Sequence, residues 1–407
     1  MLPFEKALET VLNSARPLGT ERVSLADAVN RVLAEDVKSD MDMPPFNKSA
    51  MDGYACRRSD LSDDLEVIEI IPAGYTPAKS IGPGQCAKIM TGGVVPEGAD
   101  CVVMKEYVET RRPRASGEEG RETRDENRES RIRFVGEKTK DNICRRGEDI
   151  KAGDVVLRKG ELLKPQHIAV LASVGHANPI VSKAPRVGII ATGSELVDPG
   201  TVPEPCQIRN SNSSQLAAQA RSMGAAVTDY GITKDTKEAI DNTFKKVAAA
   251  NDVIIVSGGV SVGDFDFVPD ILRRNNIDLL FEGIAVKPGK PSVFGVSEDL
   301  YCFGLPGNPM STFVQFEILI KPFLYKLMGC ERRGENVRMA LDASVERKKT
   351  ERQAWFPVAI TAAGTVKLIE YHGSAHISSL CPADGLISMD VGVSQIEKGT
   401  PVPVRLI

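Results

Sequence analysis

The sequence predicts a multidomain α/β plus β protein. A doubly wound, three-layer α/β domain follows a β-rich N-terminal lobe and precedes a small C-terminal β domain, most simply a barrel. Three observations lead there. Over residues 186–329, short β-branched runs alternate with helical stretches, as in a parallel sheet with crossover helices. Over residues 66–150 and 330–407 the runs are short, strand-like and broken by glycine and proline. A length of 407 residues exceeds a single ordinary domain.

Taken in order, residues 4–15 and 25–33 read as two short helices. Ser24 and Asp27 have capping spacing in the second, and Leu25, Ala28, Val29 and Val32 fall on one face. Residues 43–55, MPPFNKSAMDGYA, put a cation (Lys48), a hydroxyl (Ser49) and a carboxylate (Asp52) in one turn-rich stretch; Asp52-Gly53 equally suits a plain β-turn. In the following β-rich region, residues 89–100 and 145–150 stand out. Residues 109–131 carry fourteen charges, seven of each sign, and can bury almost nothing, as in a mobile surface hairpin or disordered insertion. Residues 165–174 form a helix with proline in its first turn and Gly175 as its stop.

The α/β pattern starts with a strand over 186–191 that runs into Thr192-Gly193-Ser194-Glu195, then a helix over 211–223 closed by Gly224. Asp235-x-x-Glu238 has capping-box spacing, with the acid as cap, for a helix reaching about residue 250. The stretch 251–268, NDVIIVSGGVSVGDFDFV, organises the rest: a buried strand, a glycine loop, two acids and a helix start marked by Pro269. It reads either as a ligand site at the carboxyl edge of the sheet or as a mere strand-to-helix turn. A strand near Ala285 follows, then 301–304 leading into Leu305-Pro306-Gly307-Asn308-Pro309 and a long helix ending near Gly329. The tail has strand-like runs at 366–369, 386–389 and 402–406.

The formal net charge of −4 argues against a nucleic-acid partner. No apolar run approaches a membrane span, and the N-terminus lacks a secretory layout, so a cytoplasmic protein is expected. Eight cysteines scattered without a C-x-x-C pair fit reduced thiols, with Cys86 and Cys101 as small buried hydrophobes. His372 and His376 have i, i+4 spacing, but Gly373 and the strand-like flanks argue against a metal site there. No P-loop or dinucleotide fingerprint occurs.

In a parallel α/β sheet the loops after the strands share one edge, which gathers Thr192–Glu195, Ser257 to Asp266, including Gly258, Gly259 and Ser261, and Leu305 to Pro309. Glycine loops and helix N-termini offer N–H groups to phosphate, and Lys287 and Lys290 of the K-P-G-K-P run add charge for an anion. Glu195, Asp235, Asp264 and Asp266 would repel phosphate unless a divalent cation lies between, and oxygen ligands of this type suit Mg2+. A phosphate-rich ligand with Mg2+ follows from these residue types.

The runs PPFNKSAMDGYA, IMTGGVVPEGAD, RRGEDI, TGSEL, SGGVSVGDFDF, KPGKP and GLPGNP occur in that order over almost the whole chain. This set resembles the molybdopterin molybdenumtransferases, the MoeA family that includes the E domain of gephyrin. The charged segment 109–131 is longer and more polar than the resemblance suggests. The resemblance implies an elongated homodimer of four-domain subunits: a discontinuous helical region (1–40 and 150–183), a β-rich lobe (41–149), the α/β domain (184–329) and a C-terminal small β-barrel (330–407). It implies that adenylylated molybdopterin and molybdate are the substrates, with AMP released in a Mg2+-dependent step, and that a molybdopterin adenylyltransferase is the pathway partner. By motif, Glu195, Asp235 and Asp266 resemble the acidic site; Asp264 stays a metal-ligand candidate on residue type. Pro306, Gly307, Asn308 and Pro309 form the proline loop, and Lys287 and Lys290 the anion-holding positions. Asp52, Thr91 and Asp149 resemble functional residues that complete the site from the other subunit, and Arg352 and Ser374 match a looser motif in the tail. Two other activities share these features: molybdopterin adenylyltransferase, whose α/β domain has the TGSEL and SGGVSVGD runs, and a gephyrin-like scaffold.

Overall fold

The computed structural model describes residues 1–111, 131–260, 266–331, 336–370, 373 and 376–407. They form two compact units: Met1–Glu35 with Arg158–Ala169 and Ala177–Ile407, and Asp36–Leu157 with Val170–His176.

The first unit is built on a six-stranded sheet. Its spatial order is Ala226–Thr233, Arg186–Thr192, Val253–Ser257, Tyr301–Leu305, Val293–Val296 and Asp278–Phe281. The first four strands are parallel, while Val293–Val296 runs against both its neighbours. Alternate strand residues feed two cores. Val187, Ile189, Val253 and Ile255 pack with Leu216 and Ala220 of helix Ser211–Ser222 and with Met310 and Val314. Ile190, Ile254 and Val256 pack with Ile240, Phe244 and Val247 of helix Lys237–Ala248 and with Ile271 and Leu272 of helix Val268–Arg274. Helices therefore cover both faces, which is why strand Val253–Ser257 is buried throughout and its first four residues are apolar without alternation. The order of connection reverses between Arg186–Thr192 and Val253–Ser257, leaving a crevice at their carboxyl ends.

The long C-terminal helix of this domain runs from Pro309–Gln315 through a π turn, Phe316–Ile320, to Lys321–Leu327. The wider turn disturbs the i to i−4 ladder, and the Glu317 carbonyl accepts from Nη1 of the buried Arg405 at 2.5 Å. That guanidinium also lies over the Trp355 ring, 5.9 Å from its centroid, and joins the tail to the α/β domain.

In the tail, Gln353–Ile360, Gly385–Met389, Pro401–Leu406 and Asn336–Ala340 pair in sequence as antiparallel neighbours. Val366–Leu368 pairs with the first of them. A bridge from Leu341 to Val366 closes the ring, with Asp342 N–H donating to Val366 O at 2.8 Å, so the expected small barrel forms. Val286–Lys287 adds in parallel to the edge of Gln353–Ile360, which ties the K-P-G-K-P segment to the barrel.

The second unit holds another six-stranded sheet, ordered Cys101–Met104, Gly53–Cys56, Gln85–Ile89, Asp64–Ile71, Arg131–Phe134 and Val108–Arg111. Gly53 opens a strand and is not part of a β-turn. A Cβ there would stand 1.9 Å from Val103 O, so the position admits only glycine. Cys86 and Cys101 are buried small residues of its core, as expected. Of the charged segment, residues 112–130 lie outside the described residues; the strands flanking it pair antiparallel.

One expected helix does not form. Residues 25–33 contain only a 3-10 turn, Leu25–Asp27, whose cap Ser24 accepts from Asp27 N–H as the spacing implies. Asn30 then takes a left-handed φ of 64°, and Val32 and Leu33 bridge to Leu162 and Val181. The apolar spacing was helical, but β-type pairing with distant segments satisfies this backbone instead. Among the described residues no helix is long and apolar enough to cross a membrane.

Candidate functional site

The crevice at the sheet's carboxyl edge is built by close backbone approach. Gly258 has φ +100°, and a Cβ on it would lie 2.4 Å from Thr192 O and 2.9 Å from Thr192 Oγ1. Glycine is therefore required for the loops after the two central strands to meet. Gly258 N–H donates to Leu305 O at 2.9 Å, and Gly259 O accepts from Val268 N–H at 3.1 Å. The glycine loop is thus held between the neighbouring strand and the start of the next helix.

A buried asparagine joins this edge to the proline loop. Asn212, in the first turn of helix Ser211–Ser222, directs Nδ2 at Ser257 Oγ (2.8 Å), Gly307 O (2.8 Å) and Thr312 Oγ1 (3.3 Å). Thr312 Oγ1 lies 2.7 Å from Pro306 O and 3.0 Å from Asn308 O. Pro309 begins the helix, where a missing N–H costs nothing. Ser257, Pro306, Gly307 and Asn308 are therefore positioned by one polar cluster, and neither Asn212 nor Thr312 stood out in the sequence. Asn212 Oδ1 and Thr192 Oγ1 are buried without a hydrogen-bond partner among the described residues. A buried polar atom in that state calls for a water, ion or ligand partner.

The carboxylates converge differently from expectation. Asp235 does not cap its helix; Thr236 does, its Oγ1 accepting from Ala239 N–H at 3.3 Å. Asp235 Oδ2 instead accepts from Ser194 N–H at 2.9 Å, across to the loop that carries Glu195. The Glu195 carboxylate folds back over Gly193, where a Cβ would lie 2.8 Å from Oε2. Glu195 and Asp235 thus share one corner of the edge. Asp266 is half-buried two residues before helix Val268–Arg274. Ser261 and Asp264 lie outside the described residues. Among those described, no three histidines, cysteines or carboxylates converge as a ready metal cage. Two carboxylates at one corner nonetheless fit Mg2+, which takes one or two from protein when phosphates and water complete its shell.

A cleft of about 740 Å3 opens beside the proline loop. Lys287, Lys290, Pro306, Asn308 and Arg352 line it, together with Arg347, Lys348, Lys349 and Glu346, the one acid among the described lining residues. Three backbone anchors present the K-P-G-K-P lysines. Gln315 Nε2 donates to Pro288 O at 3.0 Å, Ser292 Oγ to Gly289 O at 2.9 Å, and Ile284 N–H to Lys290 O at 3.0 Å. Gly289, at φ +107°, leaves no room for a Cβ, which would meet Gln315 Nε2 at 2.3 Å. Lys287 and Lys290 remain exposed and form no ion pair among the described residues. Arg352, from the tail, is half-buried and donates to Val286 O at 3.3 Å. Structure therefore places together three cations separated by up to 65 residues, and adds the Arg347-Lys348-Lys349 run, whose basic composition was the available signal. Gly373 lines this cleft, while Ser374, next in sequence, lies outside the described residues.

In the second unit Asp52 and Thr91 meet directly. Asp52 Oδ1 accepts from both Thr91 N–H and Thr91 Oγ1 at 2.8 Å, and Lys105 Nζ stands 3.5 Å from Oδ2. These bonds, the Thr91 N–H foremost, hold the Asp52 carboxyl below its usual range. Asp149 is exposed; its N–H donates to Met43 O at 3.1 Å, and it shares no hydrogen bond with Asp52 or Thr91.

Comparison with known proteins places these features in context. Residues 2–175 match the MoeA N-terminal region (domain I and II), residues 188–326 the probable molybdopterin binding domain, and residues 341–407 the MoeA C-terminal region (domain IV). The chain is 35% identical over 417 residues to the molybdopterin molybdenumtransferase of Bacillus subtilis (strain 168), covering 100% of this chain and 94% of that one. It is 36% identical over 342 residues to the protein of that name from Staphylococcus aureus (strain N315), covering 81% and 76%. The crystal structure of the molybdopterin biosynthesis MoeA protein from Pyrococcus horikoshii OT3 superposes with a TM-score of 0.81 at 30% identity, over 100% of both chains.

Proposed function

Because the chain belongs to the MoeA family of molybdopterin molybdenumtransferases, enzymes of molybdenum cofactor biosynthesis, we propose that it inserts molybdate into adenylylated molybdopterin and releases AMP. The observation that carries this reading is the junction of two unlike surfaces at the proline loop. On one side lies a glycine-lined sheet edge with Glu195 and Asp235 at one corner. On the other lies a cationic cleft lined by Lys287, Lys290 and Arg352. A substrate with a pyrophosphate link and a dianionic co-substrate need those two surfaces side by side.

Lys287, Lys290 and Arg352 hold the tetrahedral dianion by charge and hydrogen bonding; Ser374 belongs to the same set by motif. Ser257, Gly258 and Gly259 present backbone and hydroxyl groups to the phosphates, as does Ser261 by motif, and Pro306, Gly307, Asn308 and Pro309 shape the wall between the two ligands. Glu195 and Asp235, with Asp266 and Asp264, would hold Mg2+, which when bound offsets charge on the pyrophosphate as AMP leaves. Asp52, Thr91 and Asp149 complete the site from a second subunit of a homodimer. Each subunit is read as four domains with the boundaries given above. The enzyme acts in the cytoplasm after a molybdopterin adenylyltransferase, because its substrate is that reaction's product.

The test is AMP release from adenylylated molybdopterin with Mg2+, in the presence of molybdate, tungstate or neither. Oxyanion-dependent release is expected. Glu195→Ala and Asp266→Ala are expected to keep the fold and lose this release; normal turnover in both would overturn the acidic site. No release under any condition, with the pterin nucleotide still bound, would favour a scaffold over an enzyme.

A further inference from the structure

The cationic cleft carries more positive charge than its proposed ligand requires. Among the described lining residues, Lys287, Lys290, Arg347, Lys348, Lys349 and Arg352 face one carboxylate, Glu346, in a chain of net charge −4. A tetrahedral dianion is already matched by Lys287, Lys290 and Arg352.

Arg347 lines the cleft, but its guanidinium is taken up by backbone carbonyls. Nη1 donates to Arg352 O at 2.6 Å, Nε to Val393 O at 2.7 Å, and Nη2 to Asp390 O. Arg347 N–H donates to Ser394 O and Gly392 N–H to Thr350 O, both at 2.9 Å. One guanidinium and two backbone bonds therefore brace the 347–352 loop against residues 390–394. Lys348 and Lys349 ride on this loop at the cleft, exposed and without an ion pair among the described residues. Bringing two hydrated ammonium groups onto a ligand that is already neutralised would cost desolvation without matching gain. Left hydrated, they still act at range, because like charges above a low-dielectric cleft focus the field on anions within a Debye length. The bracing holds the loop that carries both lysines at the cleft.

We propose that Lys348 and Lys349 draw the divalent oxyanion into the cleft, accelerating its capture without contacting it once bound. The proposal rests on the reading of Lys287, Lys290 and Arg352 as the oxyanion's ligands. The experiment measures binding of molybdate alone to the full chain by equilibrium dialysis, from low to high ionic strength. Wild type is compared with the double variant Lys348→Gln, Lys349→Gln, with the charge-reversed Lys348→Glu, Lys349→Glu, and with Lys287→Ala. Affinity in the Gln double variant is expected to fall about tenfold at low salt, further in the Glu variant, and all three curves to converge at high salt. A loss that persists undiminished at high salt would make the two lysines direct ligands and overturn the proposal. Overlap of wild type and Gln variant at low salt would also overturn it. If wild type binds no molybdate, or Lys287→Ala binds normally, the underlying reading of the cleft fails instead.

Discussion

Replacing Asn212 by alanine tests whether one buried amide holds the two halves of the site together. The side chain makes two hydrogen bonds of 2.8 Å, to Ser257 Oγ and Gly307 O, and approaches Thr312 Oγ1 at 3.3 Å. Both residues bonded at 2.8 Å lie within the site, and Ser257 is fully buried. Losing each bond costs about 1 kcal/mol net, and leaving a buried acceptor unmatched adds roughly 1–3 kcal/mol. Partial rehydration at the exposed Gly307 end limits the sum, so the expected destabilisation is about 2–4 kcal/mol. The chain has a single tryptophan, and Trp355 packs against Phe4 in the same core cluster as the sheet and helix Ser211–Ser222. Urea unfolding followed by Trp355 emission therefore reports on this unit. Thr312→Val, which keeps shape and removes the hydroxyl, completes a double-mutant cycle; coupling of about 1 kcal/mol is expected from residues in one network. A change below about 0.5 kcal/mol for Asn212→Ala, or strict additivity with Thr312→Val, would refute the shared polar cluster.

Gly258→Ala forces a side chain into a left-handed position 2.4 Å from Thr192 O, backbone that belongs to the central strand pair. It is expected to destabilise the α/β domain by about 3 kcal/mol or more and to abolish ligand binding, and a stable, active variant would contradict the close approach. Thr91→Val removes the hydroxyl but keeps the N–H that contributes most to lowering the Asp52 pKa. In a carboxyl carbon NMR titration the Asp52 midpoint should move up yet stay below 3.8; an unmoved midpoint would discount the hydroxyl. Because the folded pKa is the lower one, this pair stabilises the fold above pH 3.8, and the contribution fades as pH falls through the folded value.

By itself the sequence determined the layers and their order. The uninterrupted β-branched run from Val253 to Val256 marked a buried strand, and Gly258 and Lys287 to Lys290 marked loops whose special residues have few other uses. Those signals are local, confined to a few consecutive residues where backbone freedom or burial dictates the type. Spacing failed where a local pattern had a distant competitor. Residues 25–33 had helical apolar spacing but pair with Leu162 and Val181, and Asp235 had cap spacing but serves the Ser194 N–H. Only the tertiary structure could bring Asn212 to Gly307, 95 residues away, or set the braced 347–352 loop over Lys287 and Lys290. An asparagine in a first helical turn or a basic run in a tail looks the same whether it faces water or a cleft. Which it faces is decided by how sheets stack and rings close, through contacts that no window of neighbouring residues contains.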